Sequence, residues 1–219
     1  MISAIIPAHN EEERLPSTIS AIRSIPEVDE IIVVNDGSTD GTTAAARATG
    51  ACVVTLPQNR GKGAAVAEGV QKAKGDILLL ADADLGESAV ELRSLIGPLL
   101  QDEADMTIAT FPVIPGKGGG MGFVVRLGRR GIHEATGHYM DAPLSGQRAL
   151  RRRLLDAAGG FAPGFGMEVA LTIDAIRAGF RVVEIPTTMT HRVTGRDMKS
   201  MLHRIRQYRA VRDALRKRL

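Results

Sequence analysis

Two stretches decide the architecture: Glu30-Ile31-Ile32-Val33-Val34 and Asp76-Ile77-Leu78-Leu79-Leu80. Neither alternates apolar with polar residues, so each reads as a strand buried on both faces, which is the condition of a parallel sheet covered by helices. The same alternation of apolar run and helical pattern extends outward from them. Ile2 to Ala8 precedes a helix over Leu15 to Ile25, Glu30 to Asn35 precedes Gly41 to Thr49, and Ala51 to Leu56 precedes Gly63 to Lys74. Asp76 to Ala83 then leads to a helix from about Ser88 to Leu100 and a fifth run at Asp105 to Phe111. This order predicts an α/β chain of Rossmann-like type, with a mostly parallel sheet flanked by helices.

Ligands of such sheets bind beyond the carboxyl ends of the strands. Here those exits are polar: Pro7-Ala8-His9-Asn10-Glu11-Glu12, Asn35-Asp36-Gly37-Ser38-Thr39-Asp40, Asn59-Arg60-Gly61-Lys62-Gly63 and Asp82-Ala83-Asp84. Carboxylates, amides and one Lys between glycines describe a site for a phosphate-bearing ligand with a divalent cation. Asp82 and Asp84, one residue apart at the tip of a buried strand, are hard oxygen donors suited to Mg²⁺ or Mn²⁺. Lys62 stands where a helix N-terminus can receive a phosphate, the alternative being a solvated lysine in a turn. Asp36 sits at a strand tip, able to accept from a nucleobase N–H or a ribose hydroxyl, whereas Asp40 reads as a helix cap.

The composition narrows the classes. With 219 residues and 44% hydrophobic content the chain can bury a core without disulfides, and Cys52 is its single cysteine. No apolar run approaches the roughly 18 residues of a membrane span, and the acidic Glu11-Glu12-Glu13 is unlike a signal peptide, so a cytoplasmic location is expected. Ten Lys or Arg against two Asp lie between Arg192 and Leu219, which leaves residues 1–191 net acidic. Aromatic content of 3%, without Trp, removes the stacking platforms of nucleic-acid binders, so no nucleic-acid partner is expected.

Beyond Phe111 the pattern degrades into Pro112 to Gly122, with five glycines and two prolines, read as a flexible loop. Ser145-Gly146-Gln147-Arg148 follows, then a basic helix starting near Leu150, then Gly164-Phe165-Gly166-Met167-Glu168 leading into a helix through Ala178. A short strand, Val182 to Ile185, precedes Thr190-His191-Arg192. From Asp197 to Leu219 runs an amphipathic helix with Met198, Met201, Leu202, Ile205, Tyr208, Val211 and Leu215 along one stripe and Arg204, Arg206, Arg209, Arg212 and Arg216 to Arg218 on another face. It reads equally as a peripheral membrane contact, a homodimer seam or a helix packed on its own domain. Arg148 and Arg151 to Arg153 form a second cationic cluster, open to an anionic acceptor or to a plain surface helix.

The four exit motifs, in order over residues 2 to about 110, resemble the nucleotide-sugar half of family 2 and related GT-A glycosyltransferases. Ser145-Gly146-Gln147-Arg148 is similar to the Ser-Gly-Phe-Arg segment of polyprenol-phosphate mannosyl- and glucosyltransferases. Gly164 to Leu171 with the downstream His191-Arg192 looks like the glucosyl-3-phosphoglycerate synthases. The resemblance implies one GT-A catalytic domain over 1–219: a nucleotide-sugar half at 1–111, the loop at 112–122, an acceptor-side half at 123–196 and the basic helix at 197–219. It implies that Pro7, Ala8, His9 and Glu11, with Asp36 or Ser38, border the base and ribose, and that Lys62, Asp82, Ala83, Ser145 and Gly146 complete the donor site. Asp84 and His191 would hold Mg²⁺ or Mn²⁺, Glu168 would bond the sugar or acceptor hydroxyl or act as base, and Arg148 and Arg192 would face the acceptor. The alternatives are an exposed loop histidine for His191 and a glutamate favoured by the helix dipole for Glu168.

The implied reaction moves a hexose from a nucleoside-diphosphate sugar, a UDP-sugar before a GDP-sugar and UDP-glucose first, to a small anionic acceptor such as a phosphorylated acid. The alternative acceptor is a polyprenol phosphate at a membrane surface. A noncatalytic module is the distant rival, and a nucleotidyltransferase is disfavoured because the first exit is not glycine-rich. Two departures stand out: Asn35 replaces the usual aspartate before Asp36, and Leu85-Gly86-Glu87 stands where polyprenol enzymes carry a Gln.

Overall fold

The computed structural model describes residues 1–111, 122–161, 164–189 and 198–219, with Phe165 and residues 198–206 described as backbone only. Seven strands form one sheet in the order β3-β2-β1-β4-β6-β5-β7. They are β1 (Ile2–Ala8), β2 (Glu30–Asp36), β3 (Cys52–Leu56), β4 (Ile77–Leu80), β5 (Met106–Thr110), β6 (Arg148–Arg151) and β7 (Val182–Pro186). Helices α1 (Leu15–Arg23), α2 (Thr42–Ala48), α3 (Lys62–Lys72) and α4 (Arg93–Leu100) alternate with the first five strands, as the sequence predicts. The helix expected from Ser88 divides into a 3₁₀ segment, Gly86–Leu92, followed by α4.

Successive side chains of the central strands enter opposite layers, because a strand alternates its faces. Ile6, Val33 and Leu79 join Ile19, Leu92 and Leu95 in one core. Ile5, Leu78 and Leu80 join Met106, Leu150, Val169 and Val211 in the other. A Leu79→Ala change in such a double-sided core costs about 2–5 kcal/mol, which is a large share of a domain's stability.

β6 is the exception to the parallel rule. It runs antiparallel between β4 and β5, with Arg148 opposite both Leu80 and Ile108, and Arg151 opposite Ile77. An antiparallel strand begins where its neighbours end, so β6 delivers Ser145-Gly146-Gln147 to the carboxyl edge beside the β4 exit. The basic helix expected from Leu150 therefore begins later, as α6 (Arg152–Ala157).

The basic cluster is likewise not one patch. Arg151 donates to Leu99 O at 2.7 Å and to Asp102 at 2.8 Å, and Arg153 donates to Asp105 at 2.7 Å. Arg152 donates to Gly75 O at 2.9 Å and Ala73 O at 2.8 Å. These three close the amino edge of the sheet, away from the strand exits.

Three further helices cover the second core: α5 (Gly122–Thr136), α7 (Met167–Arg177) and α8 (Met198–Arg216). Val211 and Leu215 of the terminal stripe are buried there, and Arg218 pairs with Asp174 of α7. For the described part of α8, packing on its own domain is the observed use of the stripe. Among the described residues no helix is long and apolar enough to cross a membrane.

Candidate active site

The strand order reverses between β1 and β4, which opens a crevice at their carboxyl ends. Ile5 pairs with Leu80, and Ala81 N–H donates to Ile5 O at 3.1 Å, so Asp82-Ala83-Asp84 runs alongside the end of β1. Thr18 of α1 fixes that tip from below: its hydroxyl donates to Ala83 O at 2.9 Å and accepts from Gly86 N–H at 2.8 Å.

The first two exits are tied to each other. His9 Nδ1–H donates to Asp36 O at 2.8 Å, and Asn10, held at a φ of 57°, gives its N–H to Ser38 Oγ at 3.0 Å. Asn10 Oδ1 accepts from Thr39 N–H at 2.9 Å, and Glu12 Oε2 accepts from Gly41 N–H at 2.6 Å. The N-cap of α2 is Gly41, and Asp40, one residue before it, accepts from Thr42 N–H at 3.0 Å. Burial pushes the Asp40 carboxyl up, but hydrogen bonds from Thr42 and from the Glu12 N–H hold it below the usual range. Asn35 is engaged here too: its Oδ1 accepts from Ser38 N–H at 3.0 Å while its Nδ2 donates to Thr43 Oγ1 at 2.5 Å.

Asp36 is 4% exposed and grips the third exit by both oxygens, accepting from Arg60 N–H at 2.7 Å and Gly61 N–H at 2.8 Å. Gly61 takes a φ of 87°, a conformation that favours glycine, and so turns the chain directly into α3 at Lys62. The carboxylate predicted to touch the nucleotide thus acts on the loop that presents Lys62.

Lys62 is the hub. Its Nζ lies 2.6 Å from Asp82 Oδ1 and 3.5 Å from Glu168 Oε1, and Gln147 Nε2 donates to Asp82 Oδ2 at 2.7 Å. Burial opposes the ammonium charge, but the carboxylates of Asp82 and Glu168 hold it above the ordinary lysine range. Gly146 makes the contact feasible, since a Cβ there would sit 2.0 Å from Lys62 Nζ. The structure therefore brings together Lys62, Asp82, Gly146 and Glu168 from four separate segments. Ala8 and Ala83 are buried. A polar cavity of about 330 Å³ lies between the first two exits, lined by Asn10, Glu11, Glu12, Glu13, Arg14 and Asp40 rather than by the Lys62 cluster.

Arg148 is a correction. It is 0% exposed, its guanidinium is enclosed by protein, and it cannot face an acceptor. Burial lowers it to about 10, opposed by the Glu168 and Glu184 carboxylates, and so it stays charged at neutral pH. His191 and Arg192 lie outside the described residues. Gln147 was missed as a site residue, because only the antiparallel insertion of β6 turns it toward Asp82.

Asp82 meets Lys62 through Oδ1 and Gln147 through Oδ2, and the partly buried Asp84 stands two residues further along the same tip. Among the described residues no cluster of three His, Cys, Asp or Glu side chains forms a closed metal site. The carboxylates of Asp82 and Asp84 are hard oxygen donors, the donor chemistry that suits Mg²⁺ or Mn²⁺.

Residues 3–164 match the family model described as Glycosyl transferase family 2. The chain belongs to glycosyl transferase family 2. Among family relatives, the glucosyl-3-phosphoglycerate synthase of Mycobacterium tuberculosis (strain ATCC 25618 / H37Rv) is 35% identical over 197 residues, covering 79% of this chain and 60% of that protein. The undecaprenyl-phosphate 4-deoxy-4-formamido-L-arabinose transferase of Serratia proteamaculans (strain 568) is 36% identical over 105 residues, 43% of this chain and 32% of that protein. The matched region thus spans about 60% of the length of the first of these relatives. The crystal structure of the Mycobacterium tuberculosis synthase with Mn²⁺, UDP-glucose and phosphoglyceric acid superimposes with a TM-score of 0.82 at 30% identity, over 100% of this chain and 79% of that one. The GT-A fold of this family member accounts for the crevice between β1 and β4.

Proposed function

We propose that this protein is a divalent-metal-dependent hexosyltransferase that takes UDP-glucose as donor and a small anionic acceptor such as a phosphorylated acid. The observation that carries the reading is the Lys62 ammonium at the start of α3, held between Asp82 and Glu168 in the β1–β4 crevice. The likeness to a synthase that holds UDP-glucose, Mn²⁺ and phosphoglyceric acid supports the choice of donor, metal and acceptor.

An ammonium has three N–H donors, and two of them face carboxylates here. Lys62 can turn the third to a diphosphate oxygen, aided by the α3 N-terminus. Asp82, held by Lys62 and Gln147, is the proposed contact to ribose or base. Glu168 bonds a sugar or acceptor hydroxyl and lowers the cost of removing its proton as the glycosidic bond forms. Asp84, with His191 as the proposed second ligand, holds Mg²⁺ or Mn²⁺, which when bound offsets the negative charge of the departing diphosphate. Arg192 remains the proposed acceptor contact, and Arg148 does not.

Transfer of glucose from UDP-glucose in the presence of Mn²⁺ tests the reading directly. Label is expected in phosphoglyceric acid and absent from undecaprenyl phosphate in vesicles. Label only in the lipid would replace the acceptor, and label in neither would remove this acceptor class.

A further inference from the structure

We propose that Arg148 is a positioning residue that sets Glu168 against the donor sugar, acting through the first turn of α7; this rests on the donor reading above. The guanidinium joins two segments distant in sequence. On the β6 side Nε donates to Ser145 O at 2.8 Å and Nη2 to Pro143 O at 3.3 Å. On the α7 side Nη1 donates to Glu168 O at 3.0 Å and Thr172 Oγ1 at 2.9 Å, and the Thr172 hydroxyl returns a bond to Glu168 O at 2.8 Å. Glu168 is thereby held by its own carbonyl, which leaves its carboxylate to reach Lys62.

The choice of residue argues for a geometric purpose. A buried cation pays a desolvation cost that an apolar side chain of similar volume avoids, so packing alone does not call for arginine. What arginine adds is a planar fork whose donors fix several acceptors in one plane. The two segments it joins are also the two that bear on Lys62 from the β6 and α7 sides, through Gly146 and Glu168. The span of one guanidinium therefore sets how far Glu168 stands from the donor-holding side of the crevice. Lysine, with a single charged tip, cannot bridge both sides.

The test compares binding of UDP-glucose with binding of UDP, both with Mn²⁺, by calorimetry, so that the acceptor is not needed. Glu168→Gln is expected to weaken UDP-glucose more than UDP, lowering the ratio of the two affinities by roughly fivefold, the worth of one hydrogen bond. Arg148→Lys should reproduce that selective loss, and the double variant Arg148→Lys/Glu168→Gln should lose no more than either alone. Equal weakening of both ligands by Arg148→Lys, or single effects that multiply in the double variant, would overturn the proposal and leave Arg148 a general structural residue. Failure of the wild-type protein to bind UDP, or an unchanged ratio in Glu168→Gln alone, would instead overturn the donor reading itself and this inference with it. Should Arg148→Lys fail to fold, Thr172→Val, which removes one link of the same chain, decides: a lowered UDP-glucose to UDP ratio supports the proposal and a wild-type ratio ends it.

Discussion

Single side chains in this crevice hold other parts of the site before they hold any ligand. Asp36 serves the amides of Arg60 and Gly61, so its loss would strand the Arg60 N–H and leave Gly61 N–H only its bond to Asn59 Oδ1. Asp36→Asn should lower stability by about 1–2 kcal/mol even without nucleotide, read as a shifted urea midpoint at constant slope. Gly146→Ala acts differently, because the added methyl meets the movable end of Lys62 at 2.0 Å. The fold should survive with nearly unchanged Tm, while calorimetry with UDP-glucose shows a loss of roughly tenfold or more as the ammonium is displaced. At this scale the sequence was informative where residue type and strand exit coincide, as for Lys62 and Asp82, which the fold brings to 2.6 Å of each other. It was misleading at Arg148, whose charge suggests a surface and whose buried cradle consists of backbone carbonyls and one hydroxyl that no pattern of residue types announces.

The secondary-structure elements divide along the same line. Parallel strands β1 to β5 and their helices were legible because the apolar runs of β1, β2 and β4 set a regular order that the shorter β3 and β5 continue. β6 was not, since four residues with arginine at both ends carry no strand period, and its place between β4 and β5 breaks the sequential order. That misplacement hid Gln147 as well. Helix packing offers its own test at Gly131, where a Cβ would lie 2.2 Å from Leu215 of α8. Gly131→Ala gains up to about 1 kcal/mol of helix propensity but overpacks a buried contact that costs about 1–3 kcal/mol. A net loss of about 1 kcal/mol is therefore expected by chemical denaturation, and a gain would mean that α8 is not seated on α5.

Across the whole molecule the two edges of the sheet have separate duties. The amino edge carries a structural ion cluster in which Asp105, 4% exposed, accepts from Arg153 at 2.7 Å and from the Arg181 backbone N–H at 3.0 Å. Burial pushes the Asp105 carboxyl up, but the Arg181 amide and the guanidinium groups of Arg153 and Arg181 outweigh it and hold the group below its ordinary 3.8. Such a group stabilises the fold fully above its unfolded value and loses that contribution as pH falls through the folded one. Stability should thus drop with acid below about pH 4, and Asp105→Asn should both flatten that dependence and cost about 2–3 kcal/mol at pH 7, measured by urea unfolding across pH. The carboxyl edge holds the β1–β4 crevice, proposed above as a metal-dependent site for a uridine nucleotide-sugar. The decisive experiment is calorimetric titration of UDP-glucose with Mn²⁺, with chelator, and with Asp84→Ala. Binding that needs the metal and is lost in Asp84→Ala is the predicted result; binding indifferent to both, or no binding under any condition, would contradict it.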